Sequence, residues 1–241
     1  MFSHAHHTIH NKPHVAIVGG SGKLGRYMID ESLMQGYRVT VICRPQSVTK
    51  LALWEGLIDV VPAYTDDQGA LTKALADVDA VLTVMVCWGV NGYATHTVEA
   101  VLNAAPKEAR LVFSGGWHLS RDGLDQYPLS LRCFAAVFGS LARWLRFADL
   151  RDQERAAKTV FESGRDWTLV RGSDLEEGES EGLPVWAEHV GDPRIAHNRV
   201  RRIDFAKFMV AAIKNTGLSQ KAPAIASTRL SSQRFKRLGQ G

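Results

Sequence analysis

One stretch constrains the fold more than any other: Val15-Ala-Ile-Val-Gly-Gly-Ser-Gly-Lys-Leu-Gly25. A short apolar run ends in glycines, and the glycines open an amphipathic segment. Gly19, Gly22 and Gly25 are spaced G-x-x-G-x-x-G, while Gly20, Gly22 and Gly25 also satisfy G-x-G-x-x-G. The physical reading gives each glycine a task. One permits a tight strand-to-helix turn, one lets the backbone approach a pyrophosphate, and one lets helix and strand pack closely. A pyrophosphate there faces the free N–H groups and the positive dipole end of the helix. The motif predicts a dinucleotide cradle made by Gly19, Gly20, Ser21, Gly22, Lys23, Leu24 and Gly25.

The next elements bear on which dinucleotide. A helix is expected from Lys23 to Gln35, stopped by Gly36. The β-branched run Tyr37-Arg-Val-Thr-Val-Ile-Cys43 reads as the second strand. A carboxylate at the end of that strand binds the ribose 2′-hydroxyl of NAD and repels a 2′-phosphate. Here Cys43-Arg44-Pro45 stands instead, and a guanidinium can grip a phosphate bidentately. Arg44 therefore favours NADP(H) over NAD(H).

The rest of the chain alternates strand and helix patterns. Expected helices cover 47–54, 70–76, 91–105, 151–163 and 203–214; expected strands cover 57–61, 79–87, 110–114 and 167–171, with an edge strand at 223–227. Thr65-Asp-Asp67 is placed to cap the helix that follows it. Such alternation implies an α/β fold, a Rossmann-type doubly wound parallel sheet with a small C-terminal substrate lobe. Ligands sit beyond the carboxyl ends of the strands of such a sheet. That rim gathers the glycine loop, Arg44, Val86, Ser114 and Arg171, with Trp88 and Trp117 as candidate walls. One domain over 13–230 is expected, with lobe insertions near 115–150 and 172–202. The His-rich residues 1–12 read as a leader and the basic residues 231–241 as a flexible tail.

Composition matters for what it excludes. A chain of 241 residues with a net charge of +4 suits an anionic cofactor and gives no argument for nucleic acid. Three widely spaced cysteines, without C-x-x-C, fit a reducing, cytoplasmic setting and suggest no metal site. No apolar run has membrane-spanning length, so no stable membrane insertion is expected. The segment 129–147 carries apolar residues at helical spacing with interleaved arginines. It reads as a wall helix of the substrate lobe or as a homodimer contact. The acidic, glycine-rich run Asp174–Gly182 reads as a surface loop and candidate flap. Arg199, Arg201 and Arg202 read as a solvated rim.

Five segments together carry a family resemblance: Val18–Gly25, Val41–Pro45, Leu71–Leu82, Leu111–Ser114 and Glu162–Arg171. Over about 15–213 the chain resembles the atypical short-chain dehydrogenase/reductases, the NAD(P)H-binding, NmrA-like and biliverdin-reductase-B-like proteins. The resemblance implies a Rossmann domain, a nicotinamide cofactor and a small organic substrate. Members reduce flavins, quinones and other carbonyls or conjugated systems; others bind NADP without evident turnover. The wider superfamily uses Tyr-x-x-x-Lys, but here Tyr127 precedes Leu131 and Tyr93 precedes Thr97 at that spacing. Gln153 occupies the place of a polar residue that points at the site in atypical members. Ser114 matches the family's serine position. Where relatives end the third strand in Gly-Asp near the adenine, Ala63-Tyr64 stands, and Tyr64 is a candidate to stack on that ring.

Hydride transfer belongs to the cofactor, so the protein's part is positioning and proton handling. Candidate residues for that work are Ser114, His118, Tyr127 and Gln153, with Asp152 behind them. His118 is the titratable group expected to donate a proton near neutral pH. The expected function is an NADPH-dependent oxidoreductase acting on a small-molecule substrate. The alternatives are an NADP(H)-binding redox sensor without turnover, or an isomerase or cyclase on the same fold.

Overall fold

The computed structural model describes residues 12–86, 92–127 and 150–228. Its centre is an eight-stranded sheet ordered β3-β2-β1-β4-β5-β6-β10-β8. The strands are β1 His14–Val18, β2 Arg38–Cys43, β3 Asp59–Pro62, β4 Ala80–Val84, β5 Arg110–Gly116, β6 Trp167–Gly172, β8 Val185–Ala187 and β10 Ala224–Ala226. All pairings are parallel except that of β10 with β8. A separate parallel pair joins β7 (Asp174–Glu176) to β9 (Arg199–Arg201).

Side-chain alternation along β1 shows why helices cover both faces. Val15 and Ile17 enter one apolar cluster, with helices α1 (Lys23–Met34) and α5 (Arg202–Lys214). Ala16 and Val18 enter the other, with α2 (Gln68–Ala74), α3 (Tyr93–Ala104) and α4 (Leu150–Glu162). Strands covered on both sides are buried along their length, and β1, β4 and β6 are buried at all but one position, Val84, with mostly apolar residues. The order reverses between β1 and β4, which is the switch point where such sheets bind ligands.

Local signals placed most of the ends. Gly36 follows α1 at φ +81°, and Gly164 follows α4 at φ +65°, the left-handed conformation a helix stop requires. Asp67 caps α2 by accepting from Ala70 N at 3.0 Å. Several expectations are corrected. The helix after β2 is a 3₁₀ helix over Pro45–Trp54. β4 stops at Val84 because Met85 N donates to the Ser114 side chain instead of continuing a ladder. β10 lies inside the sheet, and β8 is the edge.

The acidic run is no free flap, and the arginines are no solvated rim. Glu176 pairs with Arg199 at 2.8 Å and with Arg201 at 3.0 Å, Glu181 pairs with Arg201 at 3.0 Å, and Glu177 pairs with Arg202. Asp204, fully buried at the start of α5, accepts from Glu181 N at 2.8 Å and from the Ser180 hydroxyl. The leader, the tail, Trp88 and the 129–147 segment lie outside the described residues. No helix among the described residues is long and apolar enough to cross a membrane.

Asp152 makes a helix cap from a distance. Its carboxylate on α4 accepts from Ala94 N at 2.7 Å and from Thr95 Oγ1 at 2.7 Å, so it caps α3, whose own Gly92 has no side chain to do so. Asp152→Ala leaves the buried start of α3 unpaired. The expected outcome is a loss of about 1–2 kcal/mol in urea unfolding, with the slope unchanged.

Candidate active site

The glycine turn is built to keep side chains out. Gly19 sits at φ +84° against the end of β4, where an added Cβ would lie 3.4 Å from Val84 Cβ. A Cβ on Gly25 would lie 2.5 Å from the Gly20 backbone, and one on Gly20 would lie 2.5 Å from Val41. Gly20 and Gly25 therefore allow α1 to approach β1 and β2 directly. Gly22, exposed at the mouth, is the helix N-cap, and no side chain caps it. No acidic residue occupies the first turn. The positive end of α1 thus faces the rim with Lys23 exposed beside it and Leu24 buried beneath. Ser21 lies against Cys43 at the end of β2, and its hydrogen bond moderates the upward push that burial gives that thiol.

Arg44 follows Cys43, exposed, and its guanidinium has no hydrogen bond or ion pair among the described residues. Ala63 N donates to Cys43 O at 2.9 Å, which brings the β3 loop alongside. Tyr64 there is 51% exposed, its ring open to a flat partner. These residues would hold a nicotinamide dinucleotide. The uncapped helix end and the side-chain-free cradle suit the pyrophosphate, and a free guanidinium suits an adenosine phosphate.

Ser114, Gln153 and His118 meet at the other end of the rim. Ser114, buried at the end of β5, accepts from Met85 N at 3.1 Å and keeps its own O–H to donate. Gln153, buried on α4, donates to Met85 O at 2.9 Å. The two side chains therefore hold Met85 at both its N–H and its carbonyl, with half-buried Val86 just beyond it. His118 lies over Gly116, where a Cβ would meet its Nδ1 at 2.5 Å. His118 Nε2 and Trp117 Nε1 are both buried without a hydrogen-bond partner. Such atoms cost about 1–3 kcal/mol each when left unpaired.

Three expected roles change. Burial drives the His118 pKa down to about 4, outweighing the nearby Gln153 side chain, which favours the charged ring. The imidazole is neutral near pH 7 and is not the expected proton donor. Tyr127 donates its hydroxyl to Trp117 O at 2.6 Å, and burial pushes its phenol above the ordinary value. It braces a loop. Arg171 is buried and donates to Ala222 O at 2.7 Å, Leu119 O at 2.9 Å, Glu188 O at 2.7 Å and Asp125 Oδ2 at 2.6 Å. Its guanidinium is a structural tie, not a cofactor contact. The partner Asp125 was missed, because nothing local in the sequence marks a contact 46 residues away.

A family model described as NAD(P)H-binding matches residues 19–216. The chain belongs to the NAD(P)H-binding family. Solved structures share the fold of this family member. A short-chain dehydrogenase/reductase from Veillonella parvula in complex with NADP superposes with a TM-score of 0.71 at 15% identity, covering 90% of this chain and 95% of that one. ChuY, an anaerobillin reductase from Escherichia coli, superposes at 0.70 with 19% identity, covering 90% and 98%. A curated relative, the decarboxylating sterol-4-alpha-carboxylate 3-dehydrogenase of Dictyostelium discoideum, is 37% identical over 68 residues. That match spans 28% of this chain and only 20% of the relative.

Neutral burial of His118 has a sign. Below its ordinary pKa of 6.5 the unfolded chain takes up a proton at this residue, and the folded chain does not until about pH 4. Stability from this group is complete above 6.5 and declines as pH falls to about 4. Denaturant unfolding of wild type and His118→Gln between pH 7 and 4 should show the wild type losing the more stability on acidification. Parallel curves would place the ring in water.

Proposed function

We propose that this protein is an NADPH-dependent reductase that passes hydride to a small carbonyl, quinone, flavin or conjugated acceptor. The observation that carries the reading is Arg44, a guanidinium with no partner among the described residues at the end of β2, beside a helix terminus that no side chain caps among them. Family membership supports a nicotinamide cofactor, and the similar Veillonella protein was solved with NADP. Gly19–Gly25 would hold the pyrophosphate, Arg44 the 2′-phosphate and Tyr64 the adenine.

Bound NADPH supplies the hydride. The chain's own part is to orient the acceptor and to shape the fate of charge at its oxygen or nitrogen. Ser114 retains an O–H to donate to that atom. The neutral His118 ring, whose Nε2 has no partner among the described residues, offers a further hydrogen bond. With His118 neutral and Tyr127 donating to a backbone carbonyl, the proton that completes the reduction comes from solvent.

That neither His118 nor Tyr127 is poised as an acid favours a second reading, an NADP(H)-binding redox sensor without turnover. NADPH oxidation assayed against quinones, flavins and enones separates the two. Acceptor-dependent loss of the reduced-nicotinamide absorbance supports the reductase, and none at any acceptor supports the sensor.

Arg44→Ala tests the coenzyme assignment. NADPH affinity by calorimetry should fall about ten- to a hundredfold, the magnitude of a lost charge-assisted phosphate contact, while NADH changes by less than about threefold. Equal losses for both coenzymes would overturn the 2′-phosphate assignment.

A further inference from the structure

His118 sits between two immobilised peptides. On one side, Trp117 N donates to Gly172 O at 2.9 Å, and Trp117 O accepts from the Tyr127 hydroxyl at 2.6 Å. On the other, Leu119 N donates to Gly116 O at 3.1 Å, and Leu119 O accepts from Arg171 Nη1 at 2.9 Å. The Leu119 side chain, 1% exposed, packs onto Gly115, where a Cβ would meet it at 2.7 Å. Each residue flanking the histidine is thus held at both its N–H and its carbonyl.

The two side chains that supply these contacts share a third group. Asp125 Oδ2 takes Arg171 Nη1 at 2.6 Å, while its Oδ1 accepts from Val190 N at 2.6 Å. Both side chains of this ion pair are 1% exposed. Burial alone would push the Asp125 carboxyl up, yet Arg171 and the other hydrogen bonds to it hold it below its ordinary value. The same carboxylate acts on the Tyr127 phenol. Removing one member of a buried pair leaves an uncompensated charge, so replacement by a neutral residue at one end is felt by every group the pair organises.

We propose that Tyr127, Asp125 and Arg171 are positioning residues for His118, one buried network that holds its ring over Gly116 and against Gln153 at the substrate end of the rim. None of the three touches the substrate. They act through the backbone on either side of the histidine. This rests on the reading of the Ser114–His118 end as the substrate site. It goes beyond that reading by assigning function to an ion pair that otherwise looks purely structural. Misplacing such a group by about 1 Å costs about a hundredfold in rate.

The test uses the full chain with Asp125→Asn and, as a milder variant, Tyr127→Phe. Circular dichroism and NADPH affinity report the fold, since the coenzyme cradle lies elsewhere on the rim. The decisive readout is the His118 imidazole resonance followed by NMR through acid pH. Gln153 and burial are what set its titration. In folded Asp125→Asn the titration midpoint should rise by about one pH unit or more toward the ordinary histidine value, and Tyr127→Phe should move it the same way by less. A merely structural loss would lower the melting temperature without moving that midpoint. For an acceptor that wild type reduces, kcat should fall about tenfold or more while the KM for NADPH stays within about twofold.

Folded variants with the His118 midpoint unchanged would overturn the proposal. Should Asp125→Asn fail to fold, Tyr127→Phe decides alone by the same criterion. If wild type reduces no acceptor, the reductase reading falls, and the His118 titration still judges the network by itself.

Discussion

The contact between Gly25 and Gly20 governs the rest. Helix α1 reaches β1 so closely that a single methyl group would overlap backbone atoms, at 2.5 Å. That approach fixes where the helix begins, and hence where its uncapped N–H groups and dipole point. They point at the rim between β1 and β4, where the sheet order reverses. A loop that wandered, or a capped helix start, would leave the fold intact and the cradle useless.

Around that fixed point the protein uses a recurring device: a side chain from one element grips the backbone of another. Ser114 and Gln153 hold the N–H and the carbonyl of Met85. Asp152 caps α3 from α4. Arg201 lies inside the acidic loop, donating to Glu176, Glu177 O and Glu181. Strand ends would otherwise present unpaired polar groups to a dry cleft, and each such group is expensive to leave alone. These grips let the loops at the rim be irregular in backbone yet defined in position. They also explain why the polar residues that gather here divide into two kinds. Arg171, Asp125 and Asp152 have their groups engaged by protein, while Arg44, the Ser114 hydroxyl proton and His118 Nε2 have no partner among the described residues.

How far the sequence carried depends on the range of the interaction. The parallel α/β architecture was legible because its signals are local: the glycine spacing, the apolar runs, Gly36 and Gly164 at helix ends, Asp67 at a cap. Ser114 was legible as a rim residue because a strand end sets its place, and Gln153 through the family resemblance, which puts a site-facing polar residue at that position. What failed were inferences about partners. Arg171 ends a strand at the rim, as a cofactor ligand would, and only the folded chain brings Asp125 and Leu119 to it. Burial of His118, which reverses its expected protonation, comes from packing that no pattern in Gly115-Gly-Trp-His118 announces. One signal was present and unused. The glutamates at 176, 177 and 181 and the arginines at 199, 201 and 202 are complementary runs, and the parallel β7–β9 pair joins them.

Hydrogen exchange of the backbone amides, with and without NADPH, tests the central claim directly, that the turn from Gly19 to Gly25 and the start of α1 grasp the coenzyme's phosphates. The account predicts that saturating NADPH slows exchange across residues 20–26 more than at any other α-helix start among the described residues. Unchanged exchange there, with protection appearing elsewhere or nowhere, would contradict it.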